Sequence, residues 1–304
     1  MGVRTWAAVL AVGALTSTLV EGVAHGATEC TATTLPHNGV ATALVQTAPG
    51  DILGAGRGTL LRWHNGELTS SPLPDGFTTL RLRGADKNGR AIGSIDGRAI
   101  TVADGHIAPV TTTSTVTTSA GKGINQAGDY MVQGFDPTRQ GQQQRYFAYP
   151  AGTTVSVEIL VHADQFRTMN GILDDRRLVL DWAADDGHSR AATFLGGAVT
   201  LLALPDGAAD SRTTAAAGSW IIGSAGNRSV AWDPSGTPYV LPAGFDAVSV
   251  NRSGEVAGTI YGLAALWSPD GSVRRLGWGT VNSIGDDGTI LGSAHAAPTT
   301  WKCH

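Results

Sequence analysis

Two adjacent carboxylates and a histidine in "DWAADDGHSR" (181–190) are the one local cluster in this chain suited to acid–base chemistry. Asp185, Asp186 and His188 could share proton-transfer work if their surroundings separate the two carboxylate pKa values. Adjacent aspartates before a glycine are also what a tight turn requires. A second polar segment, "GFDPTRQGQQQR" (134–145), contributes Asp136, Arg139 and Arg145, and Trp182 heads the first. Together these residues have the chemistry of a binding rim for a polar partner such as a glycan or protein. Enzyme signatures are missing: there is no Gly-x-Ser-x-Gly elbow, no His-Glu-x-x-His and no spaced Cys/His metal set. No catalytic residue, cofactor or metal is therefore assigned. The aspartate-rich turns "DKNG", "DPSG", "PDGS" and "GDDG" lack the spaced ligands of a calcium loop and read as turn chemistry.

The 304 residues carry a net charge of −4 and no basic stripe, which argues against nucleic acid as a partner. Arg4 precedes an apolar run from Trp6 to Val20, and Ala24 and Gly26 place small residues before a cut at Ala27. This is the pattern of a secretory signal peptide over 1–26. The run falls short of the ~20 residues of a spanning helix, and no later segment could cross a bilayer as one. The expectation is an exported, soluble monomer over 27–304.

Beyond the leader, short alternating apolar runs lie between Gly, Asp, Asn and Pro turns, which points to an all-β chain. A glycine turn followed by a short strand recurs at Gly50, Gly89, Gly128, Gly218, Gly254 and Gly288, with Arg176 in the glycine slot of a degenerate unit. Behind it comes a strand closing on an aromatic: Trp63, Tyr149, Phe194, Trp232, Trp267 and Trp301, with Val102 in the second unit. Each unit reads as strand a, glycine turn, strand b, loop, strand c, tight turn and strand d. Four strands in about 40 residues is a β-propeller blade. Seven four-stranded blades are expected, with six as second choice, in units near 43–79, 80–115, 116–160, 161–205, 206–242, 243–277 and 278–304 plus 28–36.

The last unit has no strand d of its own. "TECTATTLP" (28–36) matches the strand-d segment "GELTSSPLP" (66–74), so it should pair beside 297–303 and close the ring. Cys30 and Cys303, the two cysteines, lie on these segments, and in an oxidising compartment they are expected to form a disulfide.

The unit "VNRSGEVAGTIYGLAALWSPDGSVRRLG" (250–277) resembles the HAF-type extracellular repeat, which runs Ile-Asn-x-x-Gly-x-Val-x-Gly, then Ala-x-Leu-Trp, a turn glycine and a closing Leu-Gly. "GINQAGDYMVQG" and "NSIGDDGTILGS" carry the first half, and "SVAWDPSGTPYVLP" the second. The likeness spans most of the chain after the leader, best in the third unit and the last three. Arg176 and Leu180 depart from it in the fourth. It implies an exported, propeller-like protein and transfers no catalytic residue.

In a ring closed this way, the b–c and d–a connections share one face. Segments 134–145 and 181–190 are enlarged b–c loops of adjacent units, and function tends to sit on loops enlarged over a rigid scaffold. Tyr261, Trp278 and His295 belong to the same face. The sequence therefore favours a non-enzymatic exported scaffold, binding an extracellular glycan or protein or another cell-envelope component. Its binding rim is expected at Asp136, Arg139, Arg145, Trp182, Asp185, Asp186 and His188. The alternative is an extracellular hydrolase or lyase acting on polysaccharide through Asp185, Asp186 and His188.

Overall fold

The computed structural model describes residues 30–140, 143–159 and 165–303; the leader over 1–26 and the cut before Ala27 lie outside the described residues. The chain is all-β, a ring of seven four-stranded antiparallel blades. Among the described residues no helix is long and apolar enough to cross a membrane. The inner strands, a, are Ala41–Ala48, Leu80–Ala85, Thr118–Ile124, Phe166–Ile172, Ser211–Ala217, Phe245–Val250 and Thr280–Ile284, for blades one to seven in chain order.

Blade seven takes its outer strand from the N-terminal segment Cys30–Thr34, which pairs with Ala297–Cys303 from Cys30 opposite Cys303 to Thr34 opposite Thr299. The two cysteines form a disulfide across this pair, 273 residues apart in sequence. The borrowed strand leaves the ring without an open seam, the usual route to edge-to-edge aggregation. The fourth unit is a full blade. Its turn adopts the same left-handed conformation as the glycine turns, with φ 69° at Arg176, whose Nε donates to Asp129 at 2.9 Å.

Every inner strand carries a β-bulge at an equivalent place, with Leu44, Arg83, Lys122, Asn170, Thr214, Val248 and Asn282 as the extra residues. In blades one, two, five, six and seven the residue two before the bulge presses its carbonyl against strand b. A Cβ added at Gly54, Gly93, Gly223, Gly258 or Gly292 would lie 2.3, 2.0, 1.9, 2.1 or 1.9 Å from the carbonyl oxygen of Thr42, Arg81, Arg212, Asp246 or Thr280. The recurring second glycine is thus imposed by backbone contact. In blade three Val132 takes that place, and the glycine moves to the inner strand at Gly121, where a Cβ would meet the backbone of Gly93 at 2.8 Å.

The strand-c aromatics fill the seams between blades. Trp63, Trp232 and Trp301 are fully buried. Trp63 Nε1 donates to the Pro36 carbonyl at 2.7 Å, Trp232 Nε1 to Ala203 at 2.8 Å and the Tyr149 hydroxyl to Thr111 at 2.7 Å. Each acceptor lies in the connection entering the same blade, so one ring packs the seam and fixes the linker. The hydrophobic clusters fall one to each seam; that of Trp63 with Leu291 joins blade one to blade seven.

Replacing both cysteines by serine should lower unfolding stability by about 5 kcal/mol on the chain-entropy account, measured by guanidinium denaturation. Gly93→Ala should cost about 3 kcal/mol or more, because a backbone carbonyl must move. Gly84→Ala, whose Cβ meets only Ile124 Cγ2 at 3.5 Å, should stay within about 1 kcal/mol by the same denaturation assay.

Candidate functional site

The inner strands enclose a cavity of about 370 Å³ on the ring axis, and all seven bulge residues line it. A bulge interrupts the period-two alternation of a strand and re-aims one side chain. Here it places a side chain from every blade at the waist of the channel. In ring order the tier reads Leu44, Arg83, Lys122, Asn170, Thr214, Val248 and Asn282, so two cations stand side by side and apolar residues occupy blades one and six.

The cations are not neutralised locally. Among the described residues, neither Arg83 nor Lys122 makes a hydrogen bond or ion pair with the protein. Burial pulls the Lys122 ammonium below the usual lysine value, and the Arg83 charge pushes the same way. The Asp181 carboxylate opposes this only partly. Burial pushes the Asp181 pKa up, and the carboxylate accepts the Thr213 backbone N–H at 2.7 Å and hydroxyl at 2.9 Å. Asn170 Nδ2 braces the same threonine, donating to its carbonyl at 3.0 Å and its hydroxyl oxygen at 2.9 Å.

At the a–b end a polar lattice crosses the axis. Gln126 donates its backbone N–H to Asp174 and its Nε2 to Asp286, both at 2.9 Å. Arg252 donates its backbone N–H to Asp286 at 3.2 Å and its Nη2 to Asp174 at 2.5 Å. Each carboxylate is therefore held by the same two residues. Gln126 and Asp286 belong to blades three and seven, and Asp174 and Arg252 to blades four and six, so these side chains meet only by reaching over the channel. Burial pushes the Asp286 carboxyl above the usual aspartate value despite the nearby Arg252.

The residues singled out by sequence lie on the opposite, b–c face. Asp136 and Arg145 are turned inward, 2% and 8% exposed, and their ion pair spans 3.1 Å. Arg145 also grips Glu158 through Nε at 2.9 Å and Nη2 at 2.5 Å, and Arg139 reaches the same carboxylate at 3.2 Å. The hydroxyls of Thr138 and Thr115, followed by Arg145, hold the Asp136 carboxyl down to about 2. This loop is fastened to the preceding linker and to its own outer strand. In the neighbouring loop Asp185 accepts from Gln165 Nε2 at 2.9 Å, Asp186 from the His188 backbone N–H at 2.9 Å, and His188 Nδ1 lies 3.2 Å from Asp210. Arg139, Asp185, Asp186 and His188 keep solvent exposure. Trp182 is buried on strand b in the seam between blades three and four, packed with Tyr146 and Phe166 rather than offered to a ligand. Tyr261 and Trp278, 72% and 71% exposed, stand on blade six of this face.

Sequence reading missed the axial tier, although a signal was available. In six units the bulge residue stands six places before the turn position, as Arg83 does before Gly89 and Asn170 before Arg176; in blade five the offset is shorter, Thr214 before Gly218.

No family profile matches the chain, and no curated protein matches it by sequence. Solved structures do share its fold. A catalytically inactive virginiamycin B lyase from Staphylococcus aureus with quinupristin superposes with a TM-score of 0.60 at 12% identity, covering 91% of this chain and 100% of the lyase chain. A chain of the mitotic checkpoint complex gives 0.55 at 11% identity with full coverage of both. A prolyl endopeptidase gives 0.55 at 10%, with 84% of this chain covering 46% of that one. At such identities the likeness establishes the propeller and nothing about chemistry.

The buried Asp136 carboxylate stabilises the fold only while ionised. Its native value lies below the usual aspartate value, so its contribution is present above about pH 4 and is lost as pH falls toward 2. Asp136→Asn should lower Tm at neutral pH, and the deficit should shrink as the scan is repeated down to pH 2.

Proposed function

We propose that the protein is an exported binding module whose receptor site is the axial channel of its closed ring. The observation that carries this reading is a contrast between two sets of equivalent positions. Where a position holds the blades together, the residue type recurs: the turn glycine, the glycine under the bulge carbonyl, the strand-c aromatic. At the bulge the residues differ in charge, size and hydrogen-bonding capacity from blade to blade, even though Asn170 braces Thr213 and Leu44 and Val248 pack against seam clusters. An asymmetric ligand on a pseudo-sevenfold axis needs that variety, and a bare scaffold does not.

Export is supported by the leader pattern and by the disulfide, a bond typical of oxidising compartments. The resemblance to HAF-type repeats agrees with it. A cavity of about 370 Å³ is the size of a small-molecule site, which favours a small polar solute or the end of a glycan over a folded protein. The hydrolytic or eliminative alternative has less support, because Asp185 and Asp186 serve contacts of their own loop.

Filling the channel tests the reading. A panel of neutral and acidic mono- and disaccharides, followed through backbone amide shifts, should contain ligands that move the inner-strand amides. Thr214→Trp should abolish their binding, and Arg139→Ala on the b–c rim should leave it intact. Binding that survives Thr214→Trp and falls with Arg139→Ala would return the site to the rim.

A further inference from the structure

Resting on the channel reading, we propose that the waist of the channel is an anion receptor, in which Arg83 and Lys122 together take one carboxylate or phosphate group of a small solute. The two cations project from adjacent blades at the same bulge position, and the protein offers neither a paired carboxylate. At the a–b end of the same channel, by contrast, Arg252 is paired with Asp174. Placing two like charges together without a counterion disfavours the empty state, and a bound anion reverses that cost. The nearby Asp181 accepts both Thr213 hydrogen bonds on Oδ1 and forms no ion pair with Lys122, although its charge acts on that ammonium.

The positive charge of the cavity wall is confined to the bulge tier. Two residues before the bulge, on the side toward the b–c face, the equivalent positions are Thr42, Arg81, Ala120, Thr168, Arg212, Asp246 and Thr280. None of these seven lines the cavity, so the cations on its wall are Arg83 and Lys122 alone. The acids of the other end, Asp174 and Asp286, are held by Gln126 and Arg252. The positive wall is local, since the chain as a whole carries −4. An anion would enter from the b–c face and stop at the lattice, with Leu44 and Val248 offering apolar contact to the remainder of the solute.

Reductive ¹³C-methylation labels Lys87, Lys122 and Lys302 while keeping their charge, so each reports by NMR on the mature, oxidised protein. Glucuronate, inorganic phosphate and glucose are the probes. A saturable shift of Lys122 alone with glucuronate, phosphate or both is expected, and which of them acts separates a carboxylate from a phosphate receptor. Glucose should leave Lys122 unmoved. Arg83→Gln and Lys122→Gln, the latter read through amide shifts, should each weaken binding by about tenfold or more. Neither should lower Tm, because each removes a like-charge contact. Absence of a Lys122 shift with either anion at ~10 mM, equal shifts at all three lysines, or unchanged affinity in Arg83→Gln overturns the inference. If a neutral sugar moves the inner-strand amides while the anions do not, the channel reading stands and the anion receptor falls. If no probe moves them, both fall.

Discussion

In blades one, two, five, six and seven, the carbonyl displaced by the bulge comes to rest where a Cβ would otherwise be, and only glycine on strand b admits it. The form of the channel depends on that contact. A strand without the bulge would keep its alternation, and its side chains would turn toward the seams, as Leu80 and Leu82 both do toward blade one. The extra residue escapes the alternation and lines the axis. One backbone approach therefore produces both the motif visible in the sequence and the tier of side chains that forms the channel.

Closure of the ring makes this tier rigid. Seam packing runs without interruption from blade to blade, because Leu291 of blade seven meets Trp63 of blade one under the borrowed outer strand. The disulfide fixes that strand at the circumference, and the lattice of Gln126, Asp174, Arg252 and Asp286 ties opposite blades at the centre. Isolated solvent-facing pairs of this kind contribute little. As a closed network, with each carboxylate held by two donors, they also resist spreading of the blades.

The architecture was legible in the sequence because its requirements are local and repeated. A left-handed turn asks for glycine, a crowded strand for a second glycine, a seam for a large ring. Even the departure at Arg176 preserves the turn, with an ion pair to Asp129 beside it. The site was harder to read because charge does not reveal its own partners. Asp136 and Arg145 looked like an open rim, yet they face each other across one hairpin and neutralise each other. Trp182 was read as the head of a loop, whereas strand b continues through Ala183 and is covered on both its faces, burying Leu178–Ala183 throughout. The channel went unread because a bulge cannot be inferred from the inner strand alone; it shows only when the position six before the turn is compared between units.

That comparison also bears on what kind of opening the axis is. A pore asks for continuity along the axis and tolerates symmetry around it. Here the symmetry is broken at the waist, with cations on blades two and three and apolar residues on blades one and six, and continuity is broken at the a–b end by side chains bonded across the axis. A recess asymmetric at its waist and bridged at one end is the geometry that the proposed binding role requires: polar groups placed on one side would fix the orientation of a bound group.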